Sequence, residues 1–146
     1  MVRHLGDPEA LLRSHGLRVT RPRLAVIAVL LRARAEEAHL TVAEVAELSR
    51  EILGRVSPQT VYDCLEAMTV AGLVDRVDIP GSPALFEVRT GGTHQHLVCR
   101  HCGAVRNVPD AAAALPDPRP ELAPGSPVDH IDIVYWGDCA ACAGHA

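Results

Sequence analysis

The sequence is poor in aromatic residues and has no long hydrophobic run. Aromatic side chains make up 3% of its 146 residues, so an enzyme pocket walled by aromatic rings is not indicated. The apolar run at residues 24–31 is far too short to cross a bilayer. No charged segment followed by an apolar stretch and a cleavage site opens the sequence. We therefore expect a soluble, cytoplasmic protein that does not bind the membrane.

Cysteines are few, odd in number and unevenly placed. Four of the five form two C-x-x-C pairs, Cys99 with Cys102 and Cys139 with Cys142, while Cys64 stands apart. In a reducing compartment such pairs indicate metal binding or redox chemistry rather than structural disulfides. The flanking residues lack the strand–helix–strand pattern of a thioredoxin-like dithiol, so one zinc ion held by four thiolates is favoured over two redox pairs.

A zinc ion would supply what a domain this small lacks. Neither half of the chain is long enough to bury much apolar surface alone, whereas a structural zinc contributes on the order of 10 kcal/mol to folding. The two C-x-x-C pairs are separated by 36 residues. A joint site therefore requires that the strands leading into them be neighbours.

The net charge of −4 conceals a basic N-terminal segment. Residues 1–34 contain seven arginines and two acidic residues, a balance of +5, so residues 35–146 carry −9. A basic patch on an acidic body suits binding to DNA phosphates. The alternative is a solvated helix face with no partner.

The first 89 residues predict a winged helix. N-caps predict four helix starts, at Asp7, Thr20, Thr41 and Ser57. The third and fourth helices are joined only by residues 54–57, which is a helix-turn-helix pattern, and residues 73–88 alternate as a hairpin around a Pro-Gly-Ser-Pro turn. We place the linker after this domain at residues 90–92.

Apolar residues at helical spacing predict which sides of the longer helices face the core. The second helix is expected to be buried on more than one face. The predicted core-facing residues are Leu24, Ile27, Ala28 and Leu31 in the second helix, Val42, Val45, Ala46 and Ile52 in the third, and Val61, Leu65 and Met68 in the fourth.

Residues 93–146 predict a second, small domain. Residues 97–99, 104–108 and 130–136 have the pattern of strands, and the proline-rich segment 116–127 is expected to be irregular. His94 and His96 precede the first C-x-x-C pair two residues apart. On a strand they would share one face and could bind one ion, the alternative being two surface histidines.

Taken together, these motifs resemble the ferric uptake regulator (Fur) family of metal-dependent repressors. The segments that carry the resemblance, in that family's order and spacing, are GLRVTRPRLAVIAVL, HLTVAEVAEL, VSPQTVYDCLEAMTVAGLV, FEV, HQHLVCRHCGAV and YWGDCAAC. The TVYD and VYWG variants look most like its actinobacterial, redox-responsive, catalase-linked branch. The resemblance implies an α+β fold, with an N-terminal winged helix-turn-helix domain (1–89) and a small α/β dimerisation domain with a four-cysteine zinc site (93–146).

The resemblance also implies a homodimer on operator DNA and a regulatory divalent-metal site. Carried onto this sequence, that site consists of His39, Glu87, His94 and His96. Fe²⁺ or Mn²⁺ is expected there, with Zn²⁺ or Ni²⁺ as alternatives, because ligand chemistry alone does not name the ion. Three features depart from the pattern: Asn107 stands where redox-sensing members have an aspartate, the segment 116–127 replaces an expected helix, and His130 is offset by one residue from a histidine that some members use for another metal site. Peroxide sensing is neither indicated nor excluded by these residues.

DNA contacts are expected from the starts of two helices. Phosphates would be contacted by Arg18, Arg21 and Arg23. Base edges would be reached by Ser57, Gln59, Thr60 and Tyr62, in the first turns of the fourth helix. Asp63 in that helix should disfavour nearby phosphates, and Cys64 is expected to be a buried, inert thiol.

We therefore predict a metal-dependent, DNA-binding transcriptional repressor rather than an enzyme. Asn107 keeps open the alternative of a winged-helix regulator whose zinc is structural and which binds no regulatory metal. A second alternative is a non-haem metal enzyme that uses His94, His96 and Glu87 as an open site. That enzyme would have no use for the winged-helix half of the chain.

Overall fold

The computed structural model describes residues 6–89, 95–108, 124–125 and 132–144. The chain divides into two units, Met1–Thr90 and Gly91–Ala146. Of the predicted features, the linker 90–92, His94, and the segment 116–127 apart from residues 124–125 lie outside the described residues. Within the described ranges, no helix combines the length and apolar character needed to cross a membrane.

Four helices form most of the first unit: α1 (Pro8–Ser14), α2 (Arg21–Ala35), α3 (Val42–Leu53) and α4 (Pro58–Val70). At each of the four predicted N-caps a side-chain oxygen accepts a hydrogen bond from a first-turn amide, which satisfies a donor that has no partner within the helix. At Thr41 the capping box is complete, because its N–H donates to Glu44 Oε2 at 2.8 Å. The predicted helix starts are confirmed.

Helix α2 is the centre of the first unit's core. It contacts α1, α3, α4 and a strand of the wing, so it is buried on several sides, as predicted. The side chains of Ile27, Leu30, Leu65 and Met68 are almost inaccessible to solvent. The apolar face predicted for α4 is confirmed in full, since Val61, Cys64, Leu65 and Met68 are all buried.

Of the residues predicted to face the core, Leu24 and Val42 are partly buried and pack against the core cluster, whereas Ala28 and Ile52 are not part of it. Ala28 is partly buried, and Ile52 is 56% exposed. Together with Leu24, they line one open groove of about 400 Å³, bounded by the start of α1, by α2 and by the end of α3. The spacing of Leu24 and Ala28 placed them correctly on one side of α2. That side lines a surface groove.

The three-stranded sheet of the first unit completes the winged helix. Strands β1 (Leu40–Thr41), β2 (Val74–Val77) and β3 (Leu85–Val88) pair antiparallel in the order β1-β3-β2. The turn of the predicted hairpin contains Gly81 at a φ of 80°, a conformation that glycine adopts without strain. Strand β1 was not predicted, because two residues are too few to show an alternating pattern.

The second unit contains a second three-stranded sheet. Strands β4 (Gln95–Cys99), β5 (Val105–Asn107) and β6 (Ile133–Gly137) lie in the order β5-β4-β6, with β4 and β5 antiparallel and β4 and β6 parallel. Cys99 at the end of β4 is registered with Gly137 at the end of β6. The two C-x-x-C turns therefore follow strand ends on the same side of the sheet. The strands that lead into them are neighbours, as a joint site requires.

The strand predicted for residues 130–136 is confirmed in its described part as β6, although burial does not alternate along it. Ile133 and Val134 are both partly buried, and Tyr135 and Trp136 are both exposed. Since β6 lies at an edge of its sheet, its side chains are covered unevenly.

Candidate functional site

The four cysteines of the C-x-x-C pairs converge in the second unit. Their Sγ atoms all lie within 4.8 Å of one another, and those of Cys102 and Cys139 are 3.7 Å apart. In a tetrahedral site with Zn–S bonds of ~2.3 Å, neighbouring sulfurs are about 3.8 Å apart, whereas a disulfide bond is ~2.05 Å long. The sulfur spacing fits a tetrahedral zinc site.

Both pairs are presented by tight turns. The N–H of Gly103 donates to the carbonyl of Cys99 at 3.0 Å, and the N–H of Cys142 donates to the carbonyl of Cys139 at the same distance. Such turns allow one short segment to direct two sulfurs at the same ion. Cys99 is buried and Cys102 is exposed, so the cluster reaches the surface.

Backbone amides favour a thiolate in the cluster. Hydrogen bonds from the backbone of Cys102 and Cys139 lower the pKa of Cys99 to about 6. Hydrogen bonding to the sulfurs of Cys139 and Cys99 raises the pKa of Cys142 to about 12, because adjacent sulfurs resist ionising together without a cation between them. A divalent cation would displace the remaining protons, as zinc–thiolate binding requires.

In the first unit, His39 and Glu87 form a buried pair. His39 Nε2 lies 2.9 Å from Glu87 Oε2, and the two side chains are 3% and 13% exposed. His39 immediately precedes β1 and Glu87 lies in β3, the strand with which β1 pairs. The unpredicted two-residue strand therefore positions His39 beside the wing. Imidazole and carboxylate are ligand types that suit borderline divalent ions.

In the second unit, His96 lies on β4 and is 2% exposed. Its partner across the sheet is Asn107 of β5, so the two side chains emerge on the same face. His94, the other predicted ligand of this segment, lies outside the described residues. His101 lies in the C-x-x-C turn, with Nε2 3.4 Å from Asp138 Oδ1.

Helix α4 presents a polar face to solvent. Among the predicted base-contacting residues, Ser57, Gln59 and Tyr62 are exposed and Thr60 is partly buried. Ser57 Oγ accepts a hydrogen bond from the Thr60 N–H at 3.1 Å, so this pair also stabilises the helix start. Gln59 Nε2 donates to Asp63 Oδ1 at 2.8 Å.

The predicted phosphate-contacting arginines surround the start of α2. Arg18 and Arg21 are exposed and Arg23 is partly buried. One guanidinium nitrogen of Arg23 donates to the carbonyl of Arg18 at 3.0 Å, which holds the segment leading into the helix. Burial raises the pKa of Cys64 and the charge of Arg23 opposes that rise.

One cation beside α4 was missed by the sequence analysis. Arg76 of β2 is exposed and lines, with Tyr62 and Thr41, a groove of about 360 Å³ in the first unit. It also donates to Asp78 at 3.0 Å. In the sequence, Arg76 could be recognised as a positively charged residue at a solvent-facing position of the predicted hairpin.

Comparisons with known sequences agree with this geometry. Residues 14–117 match the model of the ferric uptake regulator family. The chain is 43% identical over 130 residues to ferric uptake regulation protein 1 of Mycolicibacterium fortuitum, spanning 89% of this chain and 78% of that relative. It is 39% identical over 132 residues to the transcriptional regulator FurA of Mycobacterium tuberculosis, spanning 90% and 87%.

Two solved structures of similar fold are ferric uptake regulators. The ferric uptake regulator of Vibrio cholerae superposes with a TM-score of 0.66 at 30% identity, covering 91% of this chain and 100% of that one. The regulator of Pseudomonas aeruginosa, solved with manganese, gives 0.69 at 29% identity, covering 92% and 99%. The predicted α+β class is confirmed.

The comparisons also decide between the broad classes of function. The family model and the relatives describe transcriptional regulators, in agreement with the prediction that the protein is not an enzyme. Its placement in the catalase-linked branch stays a prediction. This chain belongs to the ferric uptake regulator family.

Proposed function

We propose that the protein is a metal-dependent, DNA-binding transcriptional repressor that works as a homodimer. The observation that carries the proposal is the buried His39–Glu87 pair, because it places two metal-ligating side chains in the same unit as the helix-turn-helix. Family membership supports the same function. The manganese present in the Pseudomonas aeruginosa relative supports a divalent ion as the effector.

Each unit has a separate role in this proposal. Residues 1–89 form the DNA-binding domain, supported by the helix-turn-helix of α3 and α4, by the hairpin wing and by the basic N-terminal segment. Residues 93–146 form the dimerisation domain. Zinc held by Cys99, Cys102, Cys139 and Cys142 would cross-link two turns of that domain, and the sulfur spacing supports this assignment.

The regulatory site consists of His39 and Glu87 from the first unit and His94 and His96 from the second. These imidazole and carboxylate groups would ligate an Fe²⁺ or Mn²⁺ ion, which suits mixed nitrogen and oxygen donors. His39 Nε2 and Glu87 Oε2 also lie within hydrogen-bond distance of each other. This contact can persist without a regulatory metal, so the metal-free and metal-bound forms would constitute a population switch.

On DNA, the first unit contributes two kinds of contact. Arg18, Arg21 and Arg23 bind phosphates, which sets the register without reading sequence. Ser57, Gln59, Thr60 and Tyr62 face the base edges in the major groove. In a homodimer the two α4 helices would enter successive major grooves about one helical turn apart.

The experiment is operator binding with the regulatory metal removed and restored. A duplex enriched from a random library is titrated with zinc-loaded protein, before and after a chelator that spares the zinc, and then with added Fe²⁺ or Mn²⁺. Removal of the metal should weaken binding roughly 5- to 150-fold, the usual range of allosteric coupling. Unchanged affinity would instead support a regulator with structural zinc only.

Two variants show whether the proposed ligands carry the response. Glu87→Gln keeps the size of the side chain and removes its charge, so binding should become weak and insensitive to metal. Asp78→Asn removes an exposed carboxylate of the same hairpin and should keep the metal response. Sedimentation should give twice the mass of the 15.6 kDa chain.

A further inference from the structure

The exposed face of α4 is acidic, which is unusual for a helix that enters DNA. Asp63 and Glu66 are both exposed, and residues 58–70 contain no arginine or lysine. Attraction to phosphates therefore comes from other parts of the first unit, such as the arginines around the start of α2. This helix is better suited to discriminating between bases than to binding the backbone.

A hydrogen bond on that face sets the orientation of Gln59. Gln59 Nε2 donates to Asp63 Oδ1 at 2.8 Å, four residues along the helix. An ionised carboxylate can only accept hydrogen bonds, so it must face the NH₂ end of the amide. The Oε1 acceptor and the second N–H donor of Gln59 are left for another partner.

We propose that Gln59 and Asp63 form a base-reading pair that selects adenine and rejects guanine. This inference rests on the proposed function. In the major groove, adenine presents the N6 donor and the N7 acceptor, which match the acceptor and donor that Gln59 retains. Guanine presents two acceptors, O6 and N7, and these are repelled by the neighbouring carboxylate of Asp63.

Asp63 acts in this pair as a positioning residue. A free glutamine side chain loses rotamer freedom when it binds a base, and a side chain already held by a neighbour loses less. Asp63 therefore strengthens the contact of Gln59 with adenine, while its own charge weakens binding to DNA in general. These two effects can be separated by experiment.

The test measures base preference rather than affinity alone. Full-length protein loaded with zinc and Mn²⁺ selects duplexes from a random library, and fluorescence anisotropy gives relative affinities when each A·T pair of the selected duplex is changed to G·C. For the wild type, at least one such change should weaken binding on the order of tenfold. Gln59→Ala should abolish most of that preference.

Asp63→Asn should reduce the same preference at the same position and also tighten binding to every duplex, because a negative charge is removed near the phosphates. Glu66→Gln is the matched control: it makes the same change of charge at an exposed residue of α4 and should keep the adenine preference. The double variant at positions 59 and 63 should lose no more preference than Gln59→Ala, because the two residues act as one unit.

Three outcomes overturn the inference, and they differ in scope. If Asp63→Asn keeps the full adenine preference, or if Glu66→Gln loses as much, the pairing is wrong while DNA binding stands. If no duplex is enriched by the metal-loaded protein, the proposed repressor function fails and the base-reading pair with it. All substituted side chains are exposed, so thermal melting should confirm that each variant is folded.

Discussion

The two units of this protein are stabilised in different ways. In the first, one cluster of sixteen buried residues draws on all four helices and on the hairpin. In the described part of the second, the buried side chains are Gln95, His96, Val98 and Cys99, and two of these four are polar. Apolar burial can hold a domain of the first kind, whereas a domain of the second kind needs a cross-link.

Two polar contacts join β4 and the residue that follows it to β6. The hydroxyl of Tyr135 donates to Gln95 Oε1 at 2.9 Å, and the guanidinium carbon of Arg100 lies 5.8 Å from the centre of the Trp136 ring. Interactions of this type contribute about 1 kcal/mol each. A zinc ion in the thiol cluster would outweigh them together.

Removal of one zinc ligand should have the largest effect, because it should unfold the second unit and leave the first unit folded. Cys102→Ser should abolish zinc binding and unfold the second unit, because a contribution on the order of 10 kcal/mol is lost. Hydrogen exchange should show fast exchange in β4 and β6 and continued protection in α2 and α4. Elemental analysis should find zinc retained in Cys64→Ala, the matched cysteine variant. Protection of β4 in zinc-free protein would contradict the proposed role of the cluster.

A cavity in the core of the first unit should have the opposite effect. The first unit should lose stability, and the second unit should keep its zinc. Leu65→Ala removes a side chain with no measurable exposure and should lower the free energy of unfolding of the first unit by about 2–5 kcal/mol. Zinc content should stay the same. Val70, on the same helix, is 85% exposed, so denaturant unfolding of Val70→Ala should differ from wild type by less than about 0.5 kcal/mol. Loss of zinc in Leu65→Ala would show that the units are not stabilised independently.

Loss of the α3 capping box should have a smaller effect in the same unit. Thr41→Ala removes the acceptor for the Glu44 N–H and should cost about 1 kcal/mol of stability, measured by urea denaturation. Glu47→Gln changes an exposed residue of α3 beyond its first turn and should be nearly neutral. Equal effects of the two changes would argue against a structural role for the cap.

Cys64 should be less reactive than Cys99, whose pKa is lowered to about 6. Burial raises the pKa of Cys64 and the charge of Arg23 opposes that rise, so at a given pH less thiolate is present than for an ordinary cysteine. Alkylation by iodoacetamide, followed by mass spectrometry, should be slow near pH 8 and still accelerate at higher pH. Arg23→Gln should slow it further, whereas Arg13→Gln on exposed α1 should not. Rapid alkylation near neutral pH would refute the inert assignment.

Prediction from the sequence succeeded where the signal is local. The capping residues specified the helix starts because each satisfies amides within one turn of itself. The wing followed from its alternation and its glycine turn. Ala28 and Ile52 were assigned to the core wrongly, since helical spacing shows which side a residue shares and does not show whether another element covers that side.

Local chemistry was thus sufficient to specify the helices, the hairpin, the family resemblance and the two C-x-x-C turns. Tertiary structure decided which of these parts meet: the parallel pairing of β4 with β6 unites four sulfurs, and a two-residue strand brings His39 to Glu87. The reason is that such contacts join residues far apart in the chain. They form only when whole strands and helices pack together, and the residues adjacent in sequence do not determine that packing.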